Sequence, residues 1–156
     1  MSAYYPLLVL HSAVRWLVLA GLPVTAIRAW QRSRRQLPYT PTDNRLRVGT
    51  LAVVHLQALL GVVLYGISPI IRYFYSAFGD AVHNRQIRFF GMEHSLVMTV
   101  AVVVITIGAA KAKRKTTDAM KHKTIWVWYG IALLLILSSV PWAFSPLTSR
   151  PWFRTF

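Results

Sequence analysis

Four long apolar stretches occupy most of the chain, and they restrict the fold more than any other feature. They run over about residues 5–27, 48–71, 89–110 and 125–144. A helix that crosses a membrane needs about 20 mostly apolar residues, because the hydrocarbon core is about 30 Å thick. The sequence therefore predicts an all-α membrane protein, built as a single four-helix transmembrane domain with no room for a soluble domain.

The composition agrees with this fold class and removes several kinds of chemistry. Hydrophobic residues make up 55% of the chain and charged residues 14%, whereas a soluble domain has about 45–50% and about 25%. There is no cysteine, so disulfides, thiolate metal sites, iron–sulfur clusters and cysteine nucleophiles are excluded. The sequence also lacks a glycine-rich phosphate loop and the common hydrolase motifs.

The basic residues predict how the helices are oriented. Of 18 Lys and Arg, twelve lie in the two loops after the first and third spans, five lie on the other side, and Arg15 lies within a span. The twelve are Arg28, Arg32, Arg34, Arg35, Arg45, Arg47, Lys111, Lys113, Arg114, Lys115, Lys121 and Lys123. The positive-inside rule places these loops in the cytoplasm and both termini outside. Because the basic runs flank membrane spans, we expect contact with anionic lipid and no nucleic acid binding.

Short loops between successive spans favour an up-down four-helix bundle. In such a bundle the first span lies diagonally opposite the third, and the second lies opposite the fourth. Any ligand in the bundle core would be held by side chains from facing helices.

Histidines are distributed in a way that needs a functional explanation. Four of the five, His11, His55, His94 and His122, lie in or beside the spans, one for each span. An ionisable residue inside a membrane is costly and indicates function. The fifth, His83, is predicted to be an ordinary loop residue.

The outer pair of histidines is the stronger candidate for a cofactor site. His11 lies about 9 Å below the outer boundary and His94 about 7–8 Å below it, at about 1.5 Å of rise per residue. They lie on diagonal helices, so two imidazoles at equal depth could bind the iron of one haem. The alternative is a pair of core histidines that donate hydrogen bonds to backbone carbonyls.

The inner pair, His55 and His122, matches less well. His122 lies in the basic run Lys121–Lys123 and His55 lies further inside the membrane, so their depths differ by about 8–13 Å. A second haem near the inner face would require the fourth helix to extend inward past Thr124, or the second helix to shift. An interfacial role for His122 is the alternative.

Four further residues are predicted to line the cofactor site. Arg15 lies one helical turn below His11 and needs an anion, which is either a haem propionate or Glu93, the acid nearest a span. Gly91 leaves room for the edge of a porphyrin on the face of His94. Gln57 could donate a hydrogen bond, and Met98 could contact the ring; their alternatives are contact between helices and core packing.

These residues resemble membrane-embedded b-type cytochromes, and the resemblance extends over all four spans. The stretches that carry it are Leu10-His11-Ser12, Val54-His55-Leu56-Gln57, Phe90-Gly91-Met92-Glu93-His94 and Lys121-His122-Lys123. The resemblance implies haem b bound by pairs of histidines, one group near each membrane face. It also implies electron transfer in a bacterial inner membrane, with quinone or other respiratory subunits as partners.

Two alternatives to an electron carrier remain open at this point. A non-redox accessory subunit that stabilises a larger membrane complex would be equally small. A small transporter could use His11, Arg15, Glu93 and His94 as a polar relay, although the broken helices typical of transporters are scarce here.

Overall fold

The computed structural model describes residues 3–145 and residue 148, and all regular structure in this part of the chain is helical. A π-helical turn, Phe89–Glu93, joins the fifth helix to the sixth. The helices are α1 (Tyr4–Arg34), α2 (Pro41–Ile67), α3 (Pro69–Ser76), α4 (Phe78–Ala81), α5 (Arg85–Arg88), α6 (His94–Lys113) and α7 (Asp118–Ser139). Two of the basic residues predicted on the outer side, Arg150 and Arg154, lie outside the described residues.

Four helical stretches in the described residues are long and apolar enough to cross a membrane. They are Tyr4–Arg34, Pro41–Ile67, Arg85–Lys113 and Asp118–Ser139. Each presents large apolar side chains away from the bundle, and Leu17, Leu59, Leu96 and Leu134 are all more than half exposed. Apolar surface of this extent is rare on a protein that is soluble in water. The prediction of an all-helical chain with four helices that could span a membrane is confirmed for the described residues.

The second span begins and ends earlier than predicted, and its ends have local causes. Thr40 and Asp43 form a capping box, in which the Asp43 carboxylate accepts from the Thr40 N–H at 2.8 Å, and Pro41 occupies the first turn. These features start a helix at the residue after Thr40. The helix ends at Ile67 because Ser68 precedes Pro69 and is extended, the conformation that proline favours in its neighbour.

The fourth span is shifted toward the basic loop in the same way. Thr117 caps it by accepting from the Met120 N–H at 3.3 Å, so the helix starts at Asp118. Val140 is extended before Pro141, which ends the helix at Ser139. His122 therefore lies one turn inside a helix, and the helix does extend past Thr124.

The spans pack as a bundle in which α1 contacts α2 and α7, while α6 contacts α7 and α2. This leaves α1 and α6 at opposite corners. The most extensive contact joins α6 and α7, where a Cβ on Gly108 would lie 2.2 Å from the Cβ of Trp128. Only glycine permits this approach, which is typical of helix pairs in membranes. The fully buried centre includes Leu22, Ile105 and Tyr129.

Candidate functional site

Polar side chains from three helices lie in the half of the bundle that begins at the start of α1, which we call the outer half after its predicted orientation; the opposite end is called the inner end. His11 and Arg15 come from α1, Gln57 from α2 and His94 from α6, and all four are partly exposed. The two imidazoles and the Arg15 guanidinium lie within electrostatic range of one another. The predicted outer pair and the predicted cation thus lie near enough to influence one another electrostatically.

The ring of His94 has a defined orientation. Its Nδ1 lies 2.8 Å from the backbone carbonyl oxygen of Ser139 on α7. A carbonyl only accepts, so Nδ1 carries the proton and Nε2 of the neutral ring presents a lone pair. Histidines that bind metals usually donate their other N–H to a carbonyl or carboxylate in this way. The rings of Phe89 and Phe90 flank the imidazole, with centroids 5.6 and 6.1 Å away.

The backbone immediately before His94 is also unusual. Phe89–Glu93 form a π-helical turn, and α6 begins directly at His94. A π turn in an otherwise helical span changes the angular position of the residues that follow, and such turns are frequent at functional sites.

His11 lies against a glycine on the neighbouring helix. A Cβ added at Gly61 would lie 3.3 Å from His11 Cε1, so the ring occupies space that a larger residue would take. Gln57 Nε2 donates to the His11 carbonyl oxygen at 3.0 Å, which ties α2 to α1 at this level. Within the described residues, His11 Nδ1 and Gln57 Oε1 are buried without a hydrogen-bond partner. Buried polar atoms of this kind cost about 1–3 kcal/mol each unless a ligand or water satisfies them.

Gly91 and Met98 are involved in packing. A Cβ at Gly91 would lie 2.4 Å from the Phe74 ring of α3, so the free space at this glycine is filled by Phe74. The Gly91 carbonyl accepts from the Tyr65 hydroxyl at 2.6 Å. Met98 is partly buried against the apolar core.

The inner pair of histidines is not brought together. His55 is exposed on α2, with Nε2 2.8 Å from Thr106 Oγ1 on α6. His122 is fully buried on α7, with its ring centroid 5.2 Å from that of Tyr39. The α2 residues that share a cavity with His122 are Asp43 and Leu46, and His55 lies nine residues after Leu46, about 13 Å along a helix. The expected inner ligand pair is therefore corrected: His55 faces α6, and His122 belongs to the inner end of the bundle.

Asp43, the acid at the inner end, was not among the predicted site residues. Asp43 is buried, and its carboxylate lies 2.7 Å from Arg28 Nε and 3.1 Å from Arg32 Nε. The Thr40-x-x-Asp43 spacing was the signal that could have placed it on a helix. Burial raises the pKa of the neighbouring Tyr39 phenol, which lies in the loop between α1 and α2.

Glu93 and His83, two further residues considered in the sequence analysis, each have a defined partner. Glu93 pairs with Arg88, at 2.7 Å from its Nε, so a protein partner on its own segment already neutralises this acid. His83 lies in the turn after α4, exposed, with Nδ1 2.7 Å from the Gly79 carbonyl.

The two histidines in the outer half come from α1 and α6, which lie at opposite corners of the bundle. The hydrogen bond to Ser139 leaves Nε2 of one of them, His94, with a free lone pair. The described residues contain no group of three or more His, Cys, Asp or Glu side chains arranged around a metal ion. Within the described residues, the outer half therefore offers two histidine nitrogens and no third metal-ligating side chain.

Comparisons with known proteins do not identify a relative: no family model, no curated protein and no solved structure matches the chain.

Proposed function

We propose that this chain is a haem b-binding membrane protein that transfers electrons, in which His11 and His94 would hold the iron of a single haem. The observation that supports the proposal is the 2.8 Å bond between His94 Nδ1 and the Ser139 carbonyl oxygen, together with the placement of His11 on the opposite helix within electrostatic range of His94. A haem held by His11 and His94 would supply a one-electron carrier, and the two histidines would leave no position at which oxygen could bind.

The surrounding residues have distinct roles in this proposal. The Ser139 carbonyl fixes the tautomer and angle of His94, and Gly61 leaves the space in which the His11 ring lies. Arg15 supplies a cation within range of both rings, and a guanidinium is the usual partner of a carboxylate such as a propionate. Since Glu93 is neutralised by Arg88, the relay of a small transporter lacks its acid.

The setting follows from the four spans and the basic loops. We propose that the protein lies in a bacterial inner membrane with both termini outside and the Arg- and Lys-rich loops against anionic lipid. Its electrons would pass to or from quinone or other membrane or respiratory subunits.

Optical spectra of the purified protein test the proposal. We expect a Soret band and a sharp α band after reduction of the wild-type chain in detergent. His94→Ala and His11→Ala should each lose these bands while the protein still inserts in the membrane. His55→Ala and His122→Ala should keep them, since neither ring belongs to the site.

His83→Ala is the matched control, because His83 is exposed in a turn and its loss should leave the spectrum unchanged. A wild-type protein without haem bands would contradict the proposal and favour an accessory subunit. Bands that survive in His94→Ala would contradict the ligand assignment.

A further inference from the structure

The inner end of the bundle contains a second buried histidine that the proposed function does not use. His122 is 0% exposed, and neither of its ring nitrogens has a hydrogen-bond partner among the described residues. The Pro38 carbonyl lies beside the ring without reaching hydrogen-bond geometry. A neutral imidazole always carries one N–H and one lone pair, so two polar functions are unsatisfied here.

The same ring lines a small cavity. The cavity measures about 10 Å³, which is room for about one water molecule. Its walls are formed by Thr25, Arg28, Ala29, Asp43, Leu46, His122 and Ile125. Three helices, α1, α2 and α7, therefore meet around it.

The wall residues have unused hydrogen-bonding capacity. Asp43 Oδ1 accepts from Arg28 Nε at 2.7 Å and keeps a second acceptor position. Thr50 Oγ1 donates to the Gly21 carbonyl at 3.3 Å, so Thr25 donates to Thr50 at 2.7 Å and its own oxygen is left to accept. With His122, these groups provide the two to four partners that an internal water needs.

The charges around the cavity decide which ligand it takes. A cation would face the Arg28 guanidinium, and an anion would face the Asp43 carboxylate. A neutral molecule that both donates and accepts avoids both conflicts and can satisfy either tautomer of His122. We infer that this cavity is a binding site for one internal water molecule, which links His122 of α7 to Asp43 of α2 and Thr25 of α1.

This inference is independent of haem binding and can be tested by NMR. The protein is labelled at histidine carbon and nitrogen, placed in detergent micelles, and probed for magnetisation transfer from water to the carbon-bound ring protons, which do not exchange. We expect a direct contact between water and the His122 ring, assigned by its absence in His122→Gln.

Two variants make the result specific to the cavity. Ala29→Val adds two methyl groups to the cavity wall, and Thr25→Val removes an acceptor at constant shape; both should reduce the water contact at His122 to background. The exposed His83 ring should show the same transfer in every variant. A wild-type His122 ring without a water contact would overturn the inference, as would a contact that both variants leave unchanged.

Discussion

The outer half and the inner end of the bundle differ in what surrounds their histidines. In the outer half, His11, Arg15, Gln57 and His94 are partly exposed, and two buried atoms have no partner in the described part of the chain. At the inner end, the buried Asp43 carboxylate is bonded by Thr40 and two arginines. The paired Asp43 carboxylate holds α1 and α2 together, whereas neither ring nitrogen of His122 beside it has a hydrogen-bond partner among the described residues. The proposed cofactor site lies in the outer half because His11 and His94 come from opposite corners there, whereas His55 faces α6 and does not lie beside His122.

The largest effect is expected at the Asp43 carboxylate of the inner end. Asp43→Ala leaves Arg28 and Arg32 without their shared carboxylate and removes half of the capping box of α2. Breaking a buried ion pair from one side costs about 3–5 kcal/mol, so the free energy of unfolding in micelles should fall by about 3 kcal/mol. Circular dichroism during denaturation measures this free energy. As a control, Asp80→Ala on the short helix α4 should change the free energy of unfolding by about 0.5 kcal/mol or less. Equal losses in the two variants would contradict the special role of Asp43.

A substitution at Gly61 tests the outer half of the bundle without replacing a proposed haem ligand. Gly61→Val places methyl groups where the His11 ring lies, 3.3 Å from the position of a Cβ. Overpacking costs about 1–3 kcal/mol, and the imidazole moves to relieve it. The haem content should therefore fall while the four helices stay in the membrane. Gly66→Val is the control, because nothing lies within 4 Å of a Cβ there; loss of haem in both variants would show that the helix, not the ring, responds.

A smaller effect is expected for the bond that links α7 to α2 near the inner cluster. The buried Tyr129 hydroxyl donates to the Arg47 carbonyl at 2.7 Å. Tyr129→Phe removes this bond and should lower the free energy of unfolding by about 1 kcal/mol, with haem content unchanged. A loss of haem in this variant would show that the two ends of the bundle are coupled.

The smallest effect is expected at His55. Its hydrogen bond to Thr106 lies on an exposed face, and a bond between membrane helices contributes about 0.6 kcal/mol on average. His55→Leu should therefore reduce stability by about that amount and leave the haem spectrum intact. Loss of the haem bands in this variant would indicate that His55 is a haem ligand.

The number of long apolar helices could be predicted from the sequence, because it depends on the length of the apolar stretches. The ends of the second and fourth spans could not be predicted from hydropathy, since Thr40, Pro69, Thr117 and Pro141 set them. The surroundings of His55 and His122 could not be predicted for the same reason. Once α7 starts at Asp118, His122 lies inside the bundle beside Asp43, while His55 faces Thr106 of α6. The filling of the space beside Gly91 could not be predicted either, because the Phe74 ring that fills it belongs to a separate helix, α3.

The ratio of haem to protein in the purified wild-type chain tests the central claim most directly. Two rings from opposite corners can hold one iron, and the inner histidines lie too far apart to hold another, so we expect a ratio of one. A ratio of two would contradict the separation of His55 from His122, and a ratio of zero would contradict the assignment of a cofactor to His11 and His94.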